Sequence, residues 1–295
     1  MRTTRSVTEI VPTHIVREGG GFKVRRPYRM GRVLSPFLLI DEMGPVDYGP
    51  GEALGAPWHP HRGFETVTYL LDGRMRHEDS AGNSGELNPG DVQWMTAGRG
   101  IIHCEEPHEE FLKTGGRTHG FQIWVNLPSS HKMMEPRYQE VPSTESPIVE
   151  QDGVWARVIA GECMGTTSSI DTKIPITLIH VKMKPESRLV QQLQADLNGM
   201  IYVFGGGINL GNETKVKKSP IAFGIGAKQG IQDGELALLS EGEEIVIKSQ
   251  EGAEFLIFAG PELNEPIERY GPFVMNTKEE IHQAFLDYQN GTLTT

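Results

Sequence analysis

Glycine and proline interrupt this chain every few residues, 35 and 19 times in 295 positions. Between them lie short runs rich in Val, Ile, Leu, Thr and Phe, among them ETVTYLL, VQWMT, FQIWVNL, WARVIAG, ITLIHVKM, MIYVFGGGINL, ALLS, EIVIKS and EFLIFAG. Each is closed by a turn signal, and that spacing predicts an all-β sandwich or barrel. A helical pattern emerges only at the end. In TKEEIHQAFLDYQNG, Thr277 is placed to cap, Glu280 follows three residues on, Ile281, Phe285 and Tyr288 share a face, and Gly291 is a stop. This predicts a C-terminal surface helix on a β body, with His282 as an ordinary helix residue.

The two halves echo each other. TVTYLLDGRMRHED and GMIYVFGGGINLGN both give a strand, a glycine-bearing turn and a second strand, and NPGDVQWMTAGRG is echoed by SEGEEIVIKSQEG. Duplication of one β-domain accounts for both, and the length suffices for two domains. The boundary is expected in the polar, unpatterned stretch between Leu127 and Val154, giving domains 1–135 and 136–295, the second including the helix.

A formal charge of −11 argues against direct binding to nucleic acid or an anionic membrane. Small molecules and protein partners stay open. The first residues lack the apolar core of a signal peptide, and no apolar run is long enough to span a bilayer, so the expectation is a cytoplasmic protein, or also a nuclear one in a eukaryote. Two distant cysteines, Cys104 and Cys163, give neither a disulfide framework nor a CxxC zinc site.

Several motifs are set aside. GGGINLG and GIGAKQG have the wrong spacing for a dinucleotide loop and are read as hairpin turns. EGGGFKVRR is read as a turn and a strand whose Arg25 and Arg26 decorate the surface. Asn212-Glu213-Thr214 and Asn290-Gly291-Thr292 match a glycosylation pattern without a secretion signal, and Lys215, Lys217 and Lys218 are too few for a nuclear-localisation cluster.

The chemistry concentrates in WHPHRGFETVTYLLDG and NPGDVQWMTAGRGIIHCEEPHEE. His59 and His61 are two residues apart where a strand begins, so they project from one side, roughly 6.5 to 7 Å apart along the backbone. His103 and Glu105 repeat the spacing at the end of another β-like run, with Cys104 pointing away. If the two strands oppose each other inside a barrel, four ligands converge on one metal ion. His77, His108, His119 and His131 lack this pairing; His77 is expected on a solvent-facing strand and the others in loops or core. Nitrogen and oxygen donors without thiolate favour one divalent ion of the non-haem iron, manganese, copper or nickel kind, with Fe(II) preferred inside a cell and Zn still open.

The blocks HPHRGFETVTYLLDG and NPGDVQWMTAGRGIIHCEEP, with FLLIDEMGP before them and RYGPFVMNTKEEI late in the chain, resemble the pirin family of the cupin superfamily. The resemblance covers essentially the whole chain. It implies a bicupin, two jelly-roll-like β-barrels face to face, with metal ligands on His59, His61, His103 and Glu105. Aligning IYVFGG with TYLLDG puts Gln192 and Gln194 where the second barrel would need histidines, so that barrel is expected to hold no metal and to be structural. Pirin-like proteins are associated with quercetin 2,3-dioxygenase activity, so the implied partners are a flavonol-like substrate and O₂. On that reading Glu105 is both ligand and the base that takes the flavonol 3-hydroxyl proton. The alternative the family offers is an iron-dependent regulator that binds protein partners according to its oxidation state.

Overall fold

The computed structural model describes residues 2–28, 34–211 and 230–295. Asn212-Glu213-Thr214, Lys215, Lys217, Lys218 and all of GIGAKQG but Gly230 lie outside the described residues. Contacts gather the chain into two compact units. One comprises Ile15–Arg26, Met30–Glu145 and Leu263–Thr295; the other comprises Met1–His14, Pro27–Arg29 and Ser146–Glu262. Both are built of β-sheet, as the run-and-turn pattern predicts.

In the first unit, one sheet runs in the order Arg137–Val141, Val92–Thr96, Phe64–Asp72, Gly116–Asn126, Phe37–Tyr48 and Phe22–Pro27. A second runs Ala56–His61, Ile101–Pro107, Met75–Asp79 and Ser84–Leu87. Antiparallel register carries a polar row across the larger sheet. Gln93 lies opposite Thr68, Thr68 opposite Gln122, and Gln122 opposite Asp41. Polar side chains lined up on the inner face of an otherwise apolar sheet are what a binding barrel needs and a packed core avoids.

Chain order places everything from residue 136 on in the second domain, but by contact Leu263–Thr295 belongs with the first unit. The reason is burial. Val274 packs with Leu38 and Phe64, while Phe273 and Met275 share a cluster with Ile281, Ala284, Leu293 and Ile102. Gly63, at φ +90°, lets the chain pass so close that a Cβ there would run into the Val274 carbonyl. The helix Lys278–Gln289 begins with a full capping box between Thr277 and Glu280 and buries Ile281 and Ala284.

The second unit has a sheet ordered Glu235–Leu239, Leu197–Leu210, Ala253–Pro261, Thr177–Met183, Val154–Ala160 and Ile148–Gln151. Its core includes Val158, Ile179, Val181, Ile201 and Ile257, all fully buried. GGGINLG is not a hairpin turn. Gly205 to Leu210 continue the strand Leu197–Leu210, and the glycines absorb a bulge between Val203 and Gly205.

The stretch expected to be unpatterned holds structure too. Its Arg137–Val141 is a strand paired with Val92–Thr96, and Lys132 is buried with its Nζ donating to Gly63 O, Asn126 Oδ1 and Val274 O at 2.7, 2.6 and 3.1 Å. A short helix, Glu109–Thr114, lies outside the predicted elements as well. His108 caps it, its Nδ1 accepting from the Glu110 amide.

Candidate metal centre

Strand register assembles the site. Ala56–His61 runs antiparallel to Ile101–Pro107 with His59 opposite His103. The other edge of Ile101–Pro107 pairs with Met75–Asp79, placing His77 opposite Glu105 and Asp79 opposite His103. Period-two alternation then turns these side chains to the same face of the smaller sheet.

The ring nitrogens of His59, His61 and His103 come within 4.8 Å of one another, the sole such group of three or more metal-capable side chains among the described residues. Their ring centroids are 4.3 to 5.0 Å apart. Each Nδ1 is engaged elsewhere. His59 donates to Pro57 O at 2.7 Å and His61 to Pro272 O at 3.1 Å, and His103 Nδ1 lies 3.5 Å from His77 Nδ1. With Nδ1 carrying the proton, the Nε2 lone pair is left over. The His103 Nε2 is buried and has no hydrogen-bond partner among the described residues. Such an orphan is costly in a fold unless something ligates it, and a divalent cation fits a nitrogen donor whose neighbours are two further imidazoles.

The electrostatics agree with ligation. Burial, with His59 adding, pushes the His61 imidazole down to about 3. Burial holds His103 well below the ordinary histidine value, helped by the neighbouring imidazoles. Both are neutral at neutral pH, the form that binds metal.

Glu105 sits differently from the three histidines. It is buried and lines the same cavity, and its Oε1 accepts from Thr68 Oγ1 at 2.6 Å, but it is not a member of the close group. The cavity is about 510 Å³ and lies wholly within the first unit. Its walls include Trp58, Phe22, Leu39, Met43 and Trp124, with Trp124 edge-on to His61 at 5.2 Å.

Three expectations need correcting. His77 is not on a solvent-facing strand; it is fully buried, because its strand is inner to the sheet and its side chain faces His103 and Tyr138. The signal was in the sequence, since His77 and Asp79 repeat the two-residue spacing of the other pairs. Arg25 and Arg26 do not merely decorate the surface. Arg25 pairs with the buried Glu42 at 2.6 Å, and Arg26 lines the cavity in a two-pronged pair with Asp41, both contacts 2.6 Å, and a third to Glu18. Nor does the late part of the chain stay away from the site, since Arg269, Gly271 and Pro272 also line it. Gln192 and Gln194 are exposed in the other unit, where they border a separate cavity.

Comparison with known proteins gives matches over most of the chain. Residues 21–125 match the Pirin family model and residues 178–294 the Pirin C-terminal cupin domain. Human pirin is 41% identical over 98% of this chain and 94% of its own length. A pirin-like protein of Solanum lycopersicum is 40% identical, covering 97% and 92%. Among solved structures, a quercetin 2,3-dioxygenase from Acinetobacter baumannii superposes with a TM-score of 0.89 at 35% identity, covering 99% of both chains.

Proposed function

Because the chain belongs to the pirin family, with its bicupin fold, we propose that it is a metal-dependent dioxygenase of the quercetin 2,3-dioxygenase type, opening a flavonol ring with O₂ and releasing carbon monoxide. The observation that carries this reading is the triad of imidazoles, one with an orphaned Nε2 and two of them, His59 and His61, at the wall of a cavity large enough for a flat aromatic molecule. The A. baumannii neighbour supports it by its named activity.

His59, His61 and His103 hold the ion, Fe(II) in this reading, and Glu105 is the fourth ligand. When bound, such an ion supplies a Lewis acid and an open position for small-molecule chemistry. The chain's own groups do the rest. Trp124 and Leu39 offer an apolar wall for the rings and keep water from them. Thr68 donates to Glu105 Oε1, which keeps a second lone pair for the ion, so the carboxylate's other oxygen can take the 3-hydroxyl proton. The histidines cannot serve as that base, because Nδ1 donates elsewhere and the Nε2 lone pair is committed to ligation.

The test is O₂ consumption and carbon monoxide release with quercetin by protein reconstituted with Fe(II). Both are expected in the parent and absent in His103→Ala. Metal-loaded parent protein that consumes no O₂ with quercetin would contradict the proposal.

A further inference from the structure

Behind His103 lies a buried polar chain that ligation does not use. His77 and Asp79 have side chains 0% and 1% exposed. Asp79 Oδ2, an acceptor, faces His77 Nε2 at 3.3 Å and draws the His77 proton there, which leaves His77 Nδ1 as the acceptor, with Gln93 Nε2 at 2.7 Å from it. Asp79 is itself pinned by a turn. Its Oδ1 accepts from the amides of Ala81 and Asn83 at 2.9 and 3.0 Å, and its Oδ2 from Asn83 Nδ2 at 2.9 Å. The His77 ring is stacked on Tyr138, with centroids 5.0 Å apart and planes inclined by 27°. Asp79, held by its turn, therefore sets where His77 carries its proton.

That choice propagates. His77 Nδ1 is 3.5 Å from His103 Nδ1, and only one of two facing nitrogens can hold the proton between them. With His77 accepting, His103 carries its proton on Nδ1 and its Nε2 lone pair is free. Were the His77 proton on Nδ1 instead, His103 would have to accept there and protonate Nε2, which could then ligate nothing.

We infer that His77, held by Asp79, is a positioning residue that selects the ligating tautomer of His103 and so raises the affinity of the site for a divalent ion. The inference rests on the metal reading above. A carboxylate behind a ligating histidine commonly does this directly. Here a second imidazole stands between them.

The experiment measures Co(II) affinity by chelator competition, together with the visible absorption of the bound ion, in the parent, His77→Phe, His77→Asn and Asp79→Asn. His77→Phe keeps the stack on Tyr138 but removes the acceptor, and is expected to weaken Co(II) by about 10- to 100-fold, the range for losing such outer partners. His77→Asn places a carbonyl oxygen where Nδ1 was and is expected to restore affinity to within about threefold of the parent, which a purely structural role does not predict. In Asp79→Asn the new amide N–H faces His77 Nε2 and forces its proton to Nδ1, so affinity falls while the turn amides keep an acceptor. Equal Co(II) affinity in the parent, His77→Phe and Asp79→Asn, with unchanged circular dichroism, overturns the inference. Should His77→Phe fail to fold, Asp79→Asn against the parent decides alone. A parent that binds no Co(II) overturns the metal reading and this inference with it, whereas a loaded parent and equally loaded variants overturn the inference only.

Discussion

The His61 Nδ1 donates to the carbonyl of Pro272 at 3.1 Å, across 211 positions of sequence. One ligand of the candidate centre thus takes its orientation from the late part of the chain. Arg269, three residues before that proline, lies over the face of Trp124 at 4.4 Å from its ring centroid, on the wall of the same cavity.

Glu105 and His103 should separate base from ligand. Glu105→Gln keeps shape and a weak ligating oxygen but removes basicity, so quercetin turnover should fall by about 10² to 10⁴, the range for a lost general base. Metal content should fall much less, because His59, His61 and His103 remain together. His103→Ala should lose metal and activity in parallel. Turnover near the parent rate in metal-loaded Glu105→Gln, across pH, would leave Glu105 no role as base.

Arg269 should act on substrate binding. A guanidinium stacked on Trp124 stiffens the aromatic wall, and such contacts contribute roughly 0.5 to 2 kcal/mol. Arg269→Ala is expected to raise KM for quercetin by about 2- to 30-fold, the equivalent of that energy, with kcat nearly unchanged. Steady-state kinetics at saturating O₂ check it, and an unchanged KM with lowered kcat would point to a different role.

The pair of Arg62 and Asp287 ties the terminal helix to the strand that bears His61. Arg62 is 4% exposed, bonds Asp287 at 2.6 Å and also donates to the carbonyls of Arg99 and Leu293. Asp287→Ala strands a buried cation with neutral acceptors only. Because Asp287 is partly exposed, the expected loss is below that of a fully buried pair, about 1 to 3 kcal/mol in urea unfolding. An unfolding midpoint equal to the parent's would show that the helix is held by apolar packing alone.

Cys163 gives a pH dependence with a definite sign. Burial, with the Glu162 charge adding, pushes its thiol up to about 12. At pH 8 the thiolate fraction should then be about a thousandth of an ordinary thiol's, and alkylation of Cys163, followed by mass spectrometry, correspondingly slow in the folded protein and fast in urea. The linkage runs the same way. As pH rises above the ordinary thiol value the unfolded chain releases a proton that the native state keeps, so Cys163 disfavours folding progressively between there and about 12.

Much of this molecule can be read from local pattern. The strands Phe64–Asp72, Val92–Thr96 and Thr177–Met183 coincide with runs of β-branched and aromatic residues, and the capping box at Thr277 is visible four residues at a time. The histidine triad follows from period-two alternation within two short segments. What pattern cannot supply is contact between distant segments. Nothing near Pro272 announces that its carbonyl meets His61, and nothing in EGGGFKVRR reveals that Arg26 will find Asp41 across a strand pair. The burial of His77 is hidden for a related reason. Its neighbours Arg76 and Glu78 are charged and made the strand look solvated, although alternation turns them outward and His77 inward. Glycines in GGGINLG misled in the opposite sense, since a bulge uses the same residue type as a turn.

The long reach between His61 and Pro272 also orders events in time. A ribosome adding roughly 5 to 20 residues per second needs about 10 to 40 s to travel from one to the other. Throughout that interval the nascent chain carries His59, His61 and soon His103, yet the carbonyl that orients His61 has not been made. The candidate centre therefore reaches its finished geometry only after residue 272 has been added, late in synthesis.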